Sequence, residues 1–197
     1  MVIGLTGGMG CGKSTAANLF KELGYRLVDS DALVREHILV QPEVRAEVRR
    51  AWGAEMLNDD GSIDRKRLAA KVFSDDEARI KLENWVHPRL YARWRELLRA
   101  EPDSNWVFEV PLLFEQRLEN WFDFIVCVAS SADVQLARLS KRGISHALAE
   151  QRISKQLPLA RKIDSADRVL WNDGTLSALR EQVEFLHAEL SAGRNDA

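Results

Sequence analysis

Cysteine is scarce. Cys11 and Cys127 are the only two in 197 residues, and they stand 116 positions apart with no CxxC spacing. That excludes a disulfide framework and a cysteine zinc site, and points to a reduced, cytoplasmic compartment. Long apolar runs are missing too. The longest, Phe124 to Ala129, is far too short to span a bilayer. The N-terminus carries no basic stretch ahead of an apolar one, so no signal peptide is read and no membrane partner is expected. Neither sign of charge dominates: 28 Lys and Arg face 30 Asp and Glu, a net charge of −2. A strongly basic nucleic-acid binder is excluded on that balance, though a local basic patch is not. No repeat or low-complexity stretch is visible. What remains is globular in composition, with 46% hydrophobic and 29% charged residues, and long enough for one core and one inserted subdomain.

Glycine is unevenly spread. Five of the eleven glycines fall within the first twelve residues, at positions 4, 7, 8, 10 and 12. Val2 to Thr6 ahead of them is short, apolar and β-prone, a buried strand. Ser14 to Leu23 shows helical apolar spacing, with Gly24 as its stop. Arg26 to Asp29 reads as a second strand and Ala32 onward as a second helix. Residues 33–100 read as mainly helical and too long for a simple crossover, hence an insertion. Trp106 to Val110, Phe124 to Ala129 and Arg168 to Trp171 complete five strands. Val134 to Arg142 and Ala147 to Gln156 form a helical pair around Gly143, and Thr175 to Leu190 closes the chain as a helix. Strands alternating with helices predict an α/β fold: a three-layer core around a parallel five-stranded sheet, with a helical insertion and a helical lid. The expected division is a core over 1–32, 101–137 and 165–197, a helical acceptor domain over 33–100, and a lid over 138–164. The six tryptophans read as core and packing residues rather than a nucleotide-stacking set.

Gly7-Gly8-Met9-Gly10-Cys11-Gly12-Lys13-Ser14 matches GxxxxGK[ST] at every fixed position, between a predicted strand and a predicted helix. The glycines let backbone N–H groups curl into an anion nest, to which a helix N-terminus adds donors and partial positive charge. Gly8, Gly10, Cys11, Gly12, Lys13, Ser14 and Thr15 are therefore the expected triphosphate cradle. Lys13 reaches the β- and γ-phosphates, and the Ser14 hydroxyl is the expected Mg²⁺ ligand.

The use of the triphosphate is narrowed by what accompanies the cradle. No guanine-reading NKxD-type tetrapeptide is present. A motor-type ATPase needs an apolar strand ending in adjacent acids, whereas Trp106-Val107-Phe108-Glu109-Val110 runs into Pro111. A small phosphotransferase remains, needing an acid at the acceptor and a cationic lid. Asp29-Ser30-Asp31 ends the second strand, at the sheet edge where parallel sheets bind ligands. Asp31 is the expected base, either aligning the acceptor hydroxyl or holding Mg²⁺ through water; the alternative for both acids is an N-cap. Arg138 to Arg168 carries eight basic and three acidic residues, a balance of +5. Arg138 and Arg142 share a helix face, so both forks are expected on one polyphosphate, in a segment mobile until ligand arrives. The alternative is a solvated helix face. Two other functions stay open on these residues: a nucleoside or nucleoside-monophosphate kinase, and a nucleotide-sensing module without catalysis.

Several ordered motifs together resemble the dephospho-coenzyme A kinase family. They are Ile3-Gly4-Leu5-Thr6-Gly7-Gly8 leading into Gly12-Lys13-Ser14-Thr15, Asp29-Ser30-Asp31 followed by Arg35, His87-Pro88, Pro111-Leu112-Leu113-Phe114-Glu115, Arg138 with Arg142, and Ala166-Asp167 followed by Asn172 and Gly174. The resemblance covers most of the chain. It implies ATP-dependent phosphorylation of the ribose 3′-hydroxyl of dephospho-coenzyme A, the last step of coenzyme A synthesis, with Mg²⁺. It implies ATP contacts from Arg138, Arg142 and Asn172, and acceptor contacts from Asp31, Arg35, His87, Leu113 and Glu115. His87 is alternatively a helix-break histidine before Pro88, and Glu115 a first-turn acid on a helix dipole. The family usually has Ser at Cys11 and Ala at Ser30. A thiol at a helix N-terminus is expected to have a lowered pKa and some sensitivity to oxidation. A monomer or weak homo-oligomer is expected.

Overall fold

In the computed structural model, residues 1–193 are described. They divide into two compact units, Met1–Asp29 with the chain from Ser104 onward, and Ser30–Asp103. The sequence places the corresponding breaks after 32 and after 100 and sets 138–164 apart as a lid. In the structure that segment falls within the first unit.

The first unit is built on five parallel strands: β1 (Val2–Gly7), β2 (Arg26–Asp29), β3 (Trp106–Glu109), β4 (Phe124–Ala129) and β5 (Arg168–Trp171). Their order is β2-β3-β1-β4-β5. The sequence reading and the structure therefore agree on five parallel strands. The central strands are apolar at nearly every position because helices cover both faces. On one face Ile3, Leu5, Val107, Val126 and Val128 meet Ala16, Ala17 and Phe20 of α1 (Lys13–Glu22). Leu179, Val183 and Leu186 of α9 (Leu176–Ala192) complete that layer. Pleating turns Gly4 and Thr6 to the other face. There a Cβ on Gly4 would collide with Phe122 and Leu113, so the close approach requires glycine. Three further helices follow β4: α6 (Ala132–Lys141), α7 (His146–Ser154) and α8 (Leu159–Ser165). The last was not legible as a helix in the sequence. It packs on β1 and β4.

The second unit is helical. Its first helix, α2 (Ser30–Leu33), runs directly into a π-helical turn at Val34–Ile38. Then come α3 (Pro42–Trp52), α4 (Arg65–Ser74) and α5 (Asp76–Ala100). Val44 and Val48 of α3, and Val86, Leu90 and Trp94 of α5, recur at four-residue spacing and with Leu68 of α4 are buried where α3 and α4 meet α5. Asp64 and Asp75 cap α4 and α5 by accepting backbone N–H groups. Pro88 lies inside α5 rather than ending it. Proline removes one hydrogen bond from such a helix. Arg89 lies in the same turn, and its Nη1 donates to the Trp85 carbonyl at 2.6 Å.

Candidate active site

β1 ends at Gly7 and α1 begins at Lys13, so residues 8–12 form the loop between them. Gly12 has φ 92°, and a Cβ there would strike the Asn172 amide, so this position demands glycine twice over. Lys13 folds back over the loop, with Nζ donating to the carbonyls of Gly7 at 3.2 Å and Gly8 at 3.0 Å. The ammonium is thus held within the loop by backbone oxygens.

The Ser14 hydroxyl donates to Glu109 Oε1 at 2.9 Å. Glu109 is the last residue of β3, is buried, and stands in register between Leu5 of β1 and Asp29 of β2. The sequence reading passed over it because Pro111 follows so closely. The available signal was an apolar strand ending in an acid beside the strand that carries the loop. A P-loop hydroxyl and a carboxylate from a neighbouring strand are the hard oxygen donors with which P-loop enzymes hold Mg²⁺.

Behind the loop, Asn172 is buried; its Nδ2 donates to the Cys11 carbonyl at 2.8 Å. Arg138 is held there as well. Nη2 donates to Asn172 O at 2.8 Å, and Nη1 to Ser130 Oγ at 3.1 Å and to Gly10 O and Cys11 O at 3.4 Å each. Arg138 is therefore a member of α6 whose guanidinium docks on the backbone of the loop. Thr15, Arg138, Arg142, Asn172 and Gly174 line one cleft of about 350 Å³ beside Gly12. With Gly12, the structure thus brings together five of the residues expected at ATP.

Other expected residues lie elsewhere. Leu113 is fully buried and packs at Gly4, as a core residue does. Glu115 accepts from Leu157 N at 2.9 Å and pairs with Lys162 Nζ at 2.8 Å. Lys162 has no exposed surface and also donates to the Pro111 carbonyl at 2.8 Å. Arg168, counted among the lid cations, pairs with Glu189 at 2.7 Å. The +5 segment is therefore not one solvated cationic face, because Arg138, Lys162 and Arg168 are engaged within the core unit. Cys11 is fully buried. Burial pushes its thiol pKa up, outweighing the opposing charge of Lys13, so the expected lowering at the helix N-terminus is overturned. Burial likewise pushes Cys127 up to about 12. Among the tryptophans, Trp94 and Trp106 are core residues, while Trp171 at the end of β5 is half exposed.

The remaining expected residues belong to the second unit. Asp31 is exposed in the first turn of α2, and Arg35 is exposed in the π-helical turn. His87 is half-buried within α5, its ring centroid 5.6 Å from that of Tyr91. Burial holds its pKa below the usual imidazole range, with Glu83 opposing. Because α5 runs on through Pro88, a helix break does not explain this histidine.

A family model described as dephospho-CoA kinase matches residues 1–178. The chain belongs to the dephospho-CoA kinase family. The dephospho-CoA kinase of Anaeromyxobacter dehalogenans is 42% identical over 197 residues, covering 98% of this chain and 93% of that protein. A solved Thermus thermophilus structure aligns with a TM-score of 0.85 at 34% identity, covering 96% of this chain and 97% of the other. The dephospho-CoA kinase of Campylobacter jejuni aligns with a TM-score of 0.73 at 25% identity, covering 98% of each chain. This family phosphorylates dephospho-CoA to CoA with ATP, and the chain is accordingly a kinase with a P-loop core.

Proposed function

We infer that this chain transfers the γ-phosphoryl group of ATP to the ribose 3′-hydroxyl of dephospho-coenzyme A, giving coenzyme A and ADP. The observation that carries the reading is the cradle itself, with the Ser14 hydroxyl on the Glu109 carboxylate. The family supplies the acceptor.

The backbone N–H groups of residues 8–13 and the N-terminus of α1 bind the β- and γ-phosphates. Lys13 exchanges its loop carbonyls for phosphate oxygens without leaving the loop. The Ser14 hydroxyl and Glu109 are the residues that hold Mg²⁺. The metal, when bound with ATP, neutralises charge across the β- and γ-oxygens. Arg138 and Asn172 keep the carbonyls of residues 10 and 11 turned outward, so that the N–H groups face the ligand. Arg142 and Thr15 close the nucleotide cleft. Asp31 accepts the hydrogen bond of the acceptor hydroxyl and aligns it, taking its proton as the bond to phosphorus forms. Arg35 and His87 serve the acceptor, whereas Glu115 acts through its pair with Lys162.

The same reading gives Mg²⁺ as cofactor, a cytoplasmic location for two free thiols, and a monomer or weak homo-oligomer. Among the described residues, no helix is long and apolar enough to cross a membrane. Incubation with ATP and a panel of acceptors, including adenosine and nucleoside monophosphates, tests the function. Mass spectrometry and phosphorus NMR should find the new phosphate on the 3′-oxygen of dephospho-coenzyme A. Preferential phosphorylation of a nucleoside or of a nucleoside monophosphate defeats the reading.

A further inference from the structure

Lys162 of α8 has no exposed surface, so its ammonium serves the protein's own chain rather than a ligand. Nζ donates to the Pro111 carbonyl at 2.8 Å and pairs with Glu115 Oε1 at 2.8 Å. The same carboxylate oxygen accepts from Leu157 N at 2.9 Å, two residues ahead of α8. The Pro111 carbonyl also accepts from the hydroxyl of Thr6, a fully buried residue of β1, at 3.3 Å. One cation thus joins the start of α8, the chain leaving β3, and the strand that enters the phosphate loop.

The chain leaving β3 needs such a tie. Pairing of β3 with β1 runs on to Val110, whose N–H donates to the Leu5 carbonyl at 2.9 Å. Pro111 follows and has no N–H to extend the ladder. Its carbonyl is held instead by Thr6 and Lys162. Glu109, which meets the Ser14 hydroxyl, stands only two residues before that proline. On the other side of α8, a Cβ on Gly8 would lie 3.5 Å from Leu159 Cδ1, so this helix also lies against the loop. Folding alone does not call for a charge here. Burying an ammonium and a carboxylate costs several kcal/mol, and a well-packed apolar pair is often at least as stable. What an apolar pair does not supply is a directed hydrogen bond to a carbonyl.

We propose that Lys162 is a positioning residue for phosphoryl transfer: by clamping the Pro111 carbonyl against Glu115, it holds the end of β3, and with it the Glu109 carboxylate, at Ser14. The proposal rests on the reaction inferred above and adds what fixes the metal-holding pair. Lys162 touches neither nucleotide nor acceptor.

The test uses the full-length chain and the variants K162M, K162M/E115Q and L186A. The double variant removes the clamp without stranding a charge, so it stays available where K162M alone does not fold. Leu186 is buried under α9 on the opposite face of the sheet, and L186A is a control for lost stability. Thermal melts set a temperature at which each variant is folded. Calorimetry measures ATP affinity with and without Mg²⁺, and kinetics give kcat at saturating substrates. In K162M/E115Q the gain in ATP affinity brought by Mg²⁺ should fall about tenfold, the scale for a group that supports a metal-holding residue, and kcat should fall at least as far. ATP binding without Mg²⁺ should stay within twofold of the parent. L186A should melt earlier yet keep kcat and the Mg²⁺ gain. A double variant with both quantities within twofold of the parent, or an L186A that loses as much, overturns the proposal and leaves Lys162 a packing residue. A parent that does not phosphorylate dephospho-coenzyme A defeats the proposed reaction, while the calorimetry still decides the clamp.

Discussion

The Ser14 hydroxyl lies 2.9 Å from Glu109 Oε1, joining the first turn of α1 to the carboxyl end of β3 across 95 residues of sequence. Replacing Glu109 by Gln keeps shape and hydrogen bonding but removes the charge beside the metal position. The E109Q variant should need a higher Mg²⁺ concentration for half-maximal rate and lose about 10–100-fold in kcat, the scale of a removed group beside a metal ligand. Its melting temperature should change little. Metal titrations at saturating substrates check this; an unchanged Mg²⁺ dependence removes Glu109 from the metal site.

Asp31 should separate chemistry from binding. Asparagine at this position preserves any helix-capping role but does not take a proton. D31N should lower kcat by about 10²–10⁴-fold, as for a positioned base, and leave the Kd for ATP unchanged. Steady-state kinetics with parallel ATP titrations read both. Near-normal turnover in D31N with instability in D31A assigns the residue to the helix start alone.

Arg138 and Arg142 should behave differently although both line the nucleotide cleft. Arg138 is docked on the carbonyls of residues 10, 11 and 172, whereas Arg142 is exposed at the end of α6. R138A should raise the KM for ATP, lower kcat and cost about 1–2 kcal/mol of stability through its lost hydrogen bonds. R142A should depress turnover with little change in stability. Hydrogen exchange should show α6 equally protected with and without ligands, with ligand-dependent protection appearing only after Gly143.

Lys162 and Glu115 form a pair in which the lysine is wholly buried and the acid mostly so. Removing one partner strands a charge in the interior. K162M should destabilise the protein by about 3 kcal/mol, the lower end for a broken buried pair. The double variant K162M/E115Q should recover part of that loss, because no charge is then left unpaired. Denaturant unfolding of the two singles and the double measures the coupling. Additive losses would show that the pair contributes nothing beyond its separate parts.

His87 gives a pH signature. Its folded pKa is depressed by burial, so the unfolded chain takes up the proton first as the solution is acidified. The full stability of this site is present above the unfolded value of about 6.5 and declines as pH falls from there through the folded pKa. H87Q should flatten that part of the stability curve. Chemical denaturation at a series of pH values between about 7.5 and 5 tests it.

Local chemistry was legible in the sequence. Gly7 to Ser14 is a contiguous motif whose backbone and side chains act around one loop, so spacing alone identified it. The five strands were likewise visible, because strands buried on both faces are short apolar runs bounded by turn residues. The amino-acid sequence thus determined a parallel α/β core, a triphosphate cradle and an inserted helical segment. Tertiary structure decided what depends on residues far apart in the chain. Glu109 becomes a partner of Ser14 only when β3 pairs with β1. Lys162 counted as one more lid cation because a charge tally is blind to burial, and only packing shows it wholly enclosed beside Glu115. Cys11 reversed its expected pKa direction for the same reason, since desolvation from the surrounding fold exceeds what a neighbouring cation offers. Burial and long-range pairing are properties of the assembled fold, and they set which partners each of these groups meets.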